Sequence, residues 1–238
     1  MTNLDIDNIN TYYGESHVLQ DLSLSVNEGE IVAILGRNGA GKTTTLKSVM
    51  GLTPPRTGEI HFNGKEITGL QPHEMAQMGI GFVPEDRDVF QDLSVESNIT
   101  IISDPDTDWP LERIYDYFPR LSERKDNRAD KLSGGEQQML AIARALATDP
   151  DLLLMDEPSE GLAPVIVDDL REMVRTLVGE SGITTLFTEQ NIEFAFDIAE
   201  RCYIINEGHV AWEGTMEELE ANEEVIQKYI TLEEIATE

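Results

Sequence analysis

Gly36-Arg37-Asn38-Gly39-Ala40-Gly41-Lys42-Thr43 follows the apolar run Ile31-Val32-Ala33-Ile34-Leu35 and precedes a helix-like segment ending near Met50. This is G-x-x-x-x-G-K-[ST] between a buried strand and a helix, the context in which the octapeptide acquires meaning. Its glycines let consecutive backbone N–H groups turn inward around phosphate oxygens, where a Cβ would intrude. The helix behind them points unpaired N–H groups and a positive dipole end at the same anion. Lys42 is placed to neutralise the outer phosphates, and the Thr43 hydroxyl suits a Mg²⁺ ion. The stretch predicts a nucleoside triphosphate site.

Working outward, Leu22, Leu24 and Val26 alternate with Ser23 and Ser25 in a half-buried strand that ends at Asn27-Glu28-Gly29. Tyr12-Tyr13-Gly14 lies upstream. An aromatic there either stacks on a base or fills a sheet edge, and the residues alone favour the edge. Gly51 and Pro54-Pro55 end the P-loop helix. Residues 58–62 and 65–67 flank Asn63-Gly64 as a tight hairpin, and 80–83 form a short strand closed by Pro84. Residues 94–147 read as mainly helical, with Ser94 as an N-cap, Pro110 at a first helical position and a polar, acidic linker at 103–108.

A buried strand follows over 151–155, then a helix over 164–177 with Gly179 and Gly182 after it, a strand over 183–187 and a helix over 192–199. Residues 202–205 and 210–212 flank Glu207-Gly208 as another hairpin-like pair. Thr215-Met216-Glu217-Glu218 is a capping box opening an acidic, helical tail. Strands alternating with helices around a P-loop predict an α/β fold with a mainly parallel sheet. The early hairpins add an antiparallel annex, and residues from about 86 to 149 an inserted helical part. The 238 residues suit one such domain.

Charge narrows the partners. Asp and Glu total 46 against 17 Lys and Arg, a net −29 at pH 7. Nucleic acid is a poor partner for such a surface, because phosphate affinity comes from basic counter-charges. Self-repulsion of this size is best tolerated where salt screens it, so the composition reads as adaptation to a salty cytoplasm. The single cysteine, Cys202, lies in an apolar run and reads as a buried structural thiol. No apolar run approaches a membrane span, and the N-terminus is unlike a signal peptide, so any membrane role comes through a partner. The four histidines have no second ligand at metal-like spacing and receive no role.

Two further motifs carry chemistry. Leu152-Leu153-Leu154-Met155-Asp156-Glu157 ends a buried strand in two carboxylates. Asp156 at a strand tip reaches Mg²⁺ directly or through water, while Glu157 projects to another side and suits the polarising of an attacking water. Leu132-Ser133-Gly134-Gly135-Glu136 opens the next helix upstream, again a phosphate-cradle geometry. With two cradles and one nucleotide motif, the economical arrangement is an active site shared between chains.

In their order and spacing the P-loop, Leu-Ser-Gly-Gly-Glu-Gln-Gln and Leu-Leu-Leu-Met-Asp-Glu-Pro resemble an ABC-type ATPase domain over nearly the whole chain. The resemblance implies a P-loop NTPase (RecA-like) core and a head-to-tail ATP sandwich. The nucleotide contacts it implies are Tyr13 stacking on adenine, Gly36, Arg37, Asn38, Gly39, Ala40, Gly41, Lys42, Thr43 and Thr44 on one subunit, and Ser133, Gly134, Gly135 and Glu136 on the other. It implies Glu157, Gln190 and Glu85 as catalytic residues and Thr43, Asp156 and Glu85 as Mg²⁺ ligands. Glu85 stands where the family usually has glutamine, Gln190 where it has the switch histidine, and Ala163 where an aspartate is common.

With Val-Pro-Glu, Glu-Pro-Ser-x-Gly-Leu-Ala-Pro and Glu-Gln-Asn, the chain is similar to the ATPase subunits of branched-chain amino-acid importers and the related urea or amide importers. That implies transmembrane permease subunits as partners, a second ATPase subunit (a copy or a relative), indirectly a solute-binding protein, and a peripheral place on the cytoplasmic membrane face. The surface at 85–90 is expected to reach the permease. Because glutamine cannot take up a proton near neutral pH, general-base work falls to Glu157. A P-loop GTPase, a small-molecule kinase, a pure ATP-holding module and a non-transport ABC ATPase are the rival readings.

Overall fold

The computed structural model describes residues 2–103 and 107–231. The chain opens with a long antiparallel pair, β1 (Thr2–Tyr13) and β2 (Ser16–Asn27), then β3 (Ile31–Leu35), helix α1 (Lys42–Val49), β4 (Thr57–Phe62), β5 (Lys65–Glu66), α2 (Pro72–Gln77) and β6 (Ile80–Val83). Helices α3 (Val95–Thr100), α4 (Leu111–Tyr117) and α5 (Pro119–Glu123), a 3₁₀ turn (Ala129–Lys131) and α6 (Gly134–Leu146) come next. The chain then builds β7 (Leu152–Asp156), α7 (Pro164–Ser181), β8 (Thr184–Glu189), α8 (Ile192–Ile198), β9 (Arg201–Asn206), β10 (His209–Thr215), α9 (Met216–Glu220) and α10 (Glu223–Tyr229).

Among the described residues, two sheets form. One runs β2-β1-β4-β5 and is antiparallel; the other runs β10-β9-β3-β8-β7-β6. In the second, β9, β3, β8, β7 and β6 pair in parallel and β10 returns antiparallel at the edge. Central parallel strands must be apolar on both faces, and Leu152 through Asp156 are all buried. Alternate residues sort to opposite sides, as a period of two requires. Ala33, Leu35, Leu153, Met155, Phe187 and Cys202 pack among the helices α3 to α8. Val32, Ile34, Leu152, Leu154, Leu186 and Tyr203 pack with Leu4, Ile6, Leu22 and Leu24 of the antiparallel sheet. The mainly parallel sheet and its antiparallel annex are as expected.

Several boundaries differ. No strand is expected from the sequence ahead of Leu22, yet β1 forms there with Leu4, Ile6 and Ile9 buried along it. A register shift between Ile6 and Ile9, with Asn8 at φ 48°, breaks the alternation that marks a strand. Pro110 is the N-cap of α4 rather than its first residue. α7 runs through Gly179 to Ser181 and is capped by Gly182 at φ 67°. An interior glycine weakens a helix without ending it. Part of the 103–108 linker and the tail beyond Thr231 lie outside the described residues.

Candidate active site

Strand order places the motifs. In the parallel register Leu35 of β3 pairs with Glu189 of β8, and Thr188 pairs with Asp156 of β7. The P-loop, Gln190 and the Asp156-Glu157 pair therefore leave adjacent carboxyl ends of three strands, where open α/β sheets bind ligands. Gly36, at φ 149°, passes so near β9 that a Cβ would stand 2.4 Å from the Ile205 carbonyl oxygen.

Lys42 is buried at the bottom of the loop. Its Nζ donates to the carbonyls of Gly36 at 3.0 Å and Arg37 at 3.3 Å, and lies 2.9 Å from Glu157 Oε1. Thr43 Oγ1 donates to Asp156 Oδ1 at 3.0 Å, and Thr188 Oγ1 donates to the same oxygen at 2.7 Å. Burial pushes the Asp156 carboxyl up from its ordinary range; the two hydroxyls pull it back, and the neighbouring Glu157 charge adds to the rise.

Glu157 takes a left-handed backbone, φ 45°, and its N–H donates to the Thr188 carbonyl at 3.1 Å and the Thr188 hydroxyl at 2.9 Å. Gln190 Nε2 donates to Glu157 Oε2 at 2.9 Å and also to Asn38 Oδ1. Burial raises the Glu157 carboxyl, but hydrogen bonds from Glu160, Lys42 and Gln190 outweigh it and hold the group below its usual value. Glu160 moves the other way, to about 7, first through its hydrogen bond to Glu157, then burial and the charges of Glu157 and Glu85. At neutral pH Glu157 is the anion, and Glu160 is the carboxyl within reach of a proton.

A cleft of about 480 Å³ is lined by Val18, Asn38, Lys42, Thr43, Thr44, Gly39, Gly41, Glu85, Glu157 and Glu160. Ser133, Gly134, Gly135 and Glu136 do not line it. Ser133 caps α6 by accepting from the Glu136 N–H at 3.3 Å, while Glu136 Oε2 accepts from the Ser133 N–H and hydroxyl at 2.8 and 2.9 Å. Glu136 is further paired with Arg124 Nε at 2.8 Å, so its carboxylate is committed inside the protein. Tyr13 ends β1, half exposed, its hydroxyl accepting from Thr53 Oγ1 at 3.4 Å. The Arg37 side chain turns away from the loop and donates to the carbonyls of Thr231 at 2.6 Å and Lys228 at 3.3 Å. Ala40 is buried, and Glu85 is exposed at the rim.

The oxygens around Thr43 and Asp156 fit a Mg²⁺ ion. A buried carboxylate whose two hydroxyl donors leave a net upward shift is short of positive charge. Among the described residues no cluster of three or more carboxylate, histidine or cysteine groups could hold a metal. Mg²⁺ on a nucleotide needs only one or two protein oxygens beside phosphate and water, so this sparse set is the appropriate one.

Sequence reasoning passed over Thr188, which ties both carboxylates to β8, and Glu189, a buried carboxylate accepting N–H groups from Ser159, Gln190 and Asn191. Burial raises the Glu189 carboxyl. The available signal was a polar Thr-Glu pair ending an otherwise buried strand.

Residues 19–160, most of the chain and all three motifs, match the family described as ABC transporter. The chain belongs to that family. This ABC protein is the ATPase subunit of a transporter. It is 40% identical over 231 residues to the high-affinity branched-chain amino acid transport ATP-binding protein BraG of Pseudomonas aeruginosa, covering 95% of this chain and 99% of the relative. It is 36% identical over 236 residues to the lipopolysaccharide export system ATP-binding protein LptB of Escherichia coli, covering 97% and 98%. Among solved structures, the ADP conformation of MJ1267, an ATP-binding cassette of an ABC transporter, superposes with a TM-score of 0.83 at 29% identity over 95% of this ABC ATPase and 98% of that chain. The dimeric, post-hydrolysis MJ0796 cassette bound to ADP and Pi gives 0.78 at 27%, covering 90% and 98%.

Proposed function

We propose that this ATPase drives import of branched-chain or other amino acids, with each ATP clasped between the Lys42 loop of one subunit and Ser133, Gly134 and Gly135 of another. The second subunit is a copy of this chain or a related ATPase. The observation that carries the shared site is that one chain builds two anion cradles and lines its Lys42 cleft with only one of them. Tyr13 stacks on adenine, and the P-loop N–H groups and Lys42 hold the phosphates. Phosphate oxygens compete with Glu157 for Lys42, so nucleotide entry frees the carboxylate to polarise water. Thr43 and Asp156, with Glu85 at the rim, hold the Mg²⁺, which supplies charge neutralisation at the phosphates when bound. Gln190, joined to Glu157 and Asn38, positions that carboxylate and reports on the γ-phosphate.

The permease docks in a groove of about 610 Å³ lined by Leu52, Phe82, Glu85, Ile102 and Arg144. Phe90, Ile101 and Leu52 are exposed near it, the apolar rim a membrane subunit's helix end would cover. No described helix is long and apolar enough to cross a membrane, so attachment is peripheral and through that groove. A solute-binding protein delivers the cargo. Amino acids are favoured by Val-Pro-Glu, Glu-Pro-Ser-x-Gly-Leu-Ala-Pro and Glu-Gln-Asn together with the likeness to BraG. A urea or amide importer is the neighbouring reading, and the likeness to LptB supports an exporter as the second one.

Hydrogen exchange on Glu157→Gln protein in its native assembly tests the shared site. MgATP should protect residues 133–135, and cargo identified by co-purified permease and binding protein should be an amino acid. Solvent-open amides at 133–135 under saturating ATP would leave a triphosphate binder without this cycle. The acidic surface reads as salt adaptation: thermal melting should fall sharply from molar KCl to dilute buffer, and indifference to salt refutes it.

A further inference from the structure

We propose that Arg87 is a positioning residue for hydrolysis, one guanidinium that ties the cradle offered to the neighbouring subunit to the loop beside the chain's own Glu157. The inference rests on the shared-site reading above. Arg87 Nε donates to Gln138 Oε1 on α6 at 3.3 Å, and Nη2 donates to the Glu160 carbonyl at 3.4 Å. Its Nη1 lies 3.1 Å from where a Cβ on Gly134 would stand, so the first cradle glycine is the seat of this guanidinium. Gln138 is buried at 2% exposure; its Oε1 accepts from Arg87 while its Nε2 has no protein partner, so Arg87 supplies the hydrogen bond that holds this amide.

The backbone is bent to aim it. Arg87 and the next residue, Asp88, both take left-handed angles, φ 67° and 40°, which L residues avoid. The same loop is pinned to α6 a second time by Arg144, which donates to the Asp88 carbonyl. Both acceptors of the guanidinium are neutral oxygens, the Gln138 amide and the Glu160 carbonyl. A planar fork can serve two acceptors at once; an ammonium on a flexible stem serves one point. Movement of the loop at 85–90 thus reaches the Ser133 cradle and the Glu160 loop together.

The test is ATPase kinetics in the assembled transporter, with hydrogen exchange on the same samples. Arg87→Ala should lower kcat about tenfold with KM for ATP within about twofold, the signature of a lost positioning contact. Arg87→Lys should restore part of that rate. Gln138→Leu should reproduce the loss, and the double variant should lose no more than either single one. Exchange should quicken at 133–137 and 159–162 together, with the melting temperature lowered by no more than a few degrees. Wild-type turnover in Arg87→Ala, additive losses in the double variant, or faster exchange throughout the chain would each overturn the proposal. If unsubstituted protein shows no ATP-dependent protection at 133–135, the shared site itself fails and Arg87 with it. Protection that persists while Arg87→Ala turns over normally removes Arg87 alone.

Discussion

The two glycine corners of this chain do different work. In the P-loop, glycine supplies backbone angles: Gly36, Gly39 and Gly41 sit at φ 149°, 79° and 118°; a Cβ on Gly36 or Gly41 would also collide with Ile205 or Leu19, but one on Gly39 would meet nothing within 4 Å. At the head of α6, Gly134 and Gly135 carry no such angle and supply room instead. A Cβ on Gly135 would fall 2.2 Å from Ile166 Cγ2, and one on Gly134 would press on Arg87. The P-loop corner also buries its charged pair, Lys42 and Glu157, at the bottom of the loop, whereas the α6 corner is capped by Ser133 and by Glu136, whose partner Arg124 is part-exposed. The first is a finished anion receptor. The second is a shape held in place by neighbours, which suits the shared site proposed above.

The largest effect expected falls on the charged corner. Glu157→Gln should cut phosphate release about a hundredfold or more while equilibrium ATP binding survives. Near-normal turnover would take Glu157 out of its role. Lys42→Ala should weaken ATP binding about tenfold to a hundredfold by calorimetry, since a charge-assisted contact is lost. It should also destabilise the nucleotide-free protein by about 3 kcal/mol in urea unfolding, because Glu157 is left buried and unpaired, and adding Glu157→Gln should return much of that loss.

The angle-versus-room contrast is sharpened by a smaller pair. Gly39→Ala should cost about 1 kcal/mol from its positive φ, and no neighbouring substitution should relieve it. Gly135→Ala should cost about 1–3 kcal/mol by overpacking, relieved when Ile166→Ala is added; without Ile166 an alanine inside a helix is favourable. If Ile166→Ala gives no rescue, the glycine is there for another reason.

The smallest effect is on pH dependence. The Glu160 carboxyl is raised to about 7, above its unfolded value of 4.5, so its contribution to stability is complete below 4.5 and lost as pH rises through 7. Glu160→Gln should therefore gain melting temperature relative to wild type across that window and hold the gain above it. A difference that stays constant from pH 4.5 to 8 would separate Glu160 from Glu157.

Much of this was legible beforehand, for identifiable reasons. Motifs that combine a strand, a glycine turn and a helix carry their own geometry, so Lys42, Thr43, Asp156 and Glu157 could be placed without coordinates. Gly58 through Ile67 announced a hairpin through Asn63-Gly64. Thr188 was hidden because its importance lies in register: nothing local says that it will stand opposite Asp156. Arg87 was hidden because two segments distant in sequence, α6 and the Glu160 loop, meet on it. The resemblance implies Arg37 as a nucleotide contact; its side chain, which the motif does not specify, donates instead to carbonyls at residues 228 and 231. β1 escaped because a bulge interrupts the period on which strand recognition depends.

Arg37 has a practical corollary. Its guanidinium grips peptide oxygens at residues 228 and 231, so the end of α10 is stapled to the Lys42 loop. Where an affinity handle or reporter is fused therefore matters: one attached behind α10 tugs on the nucleotide pocket, and measured ATP affinities should be compared between N-terminally and C-terminally extended preparations before any is taken as native.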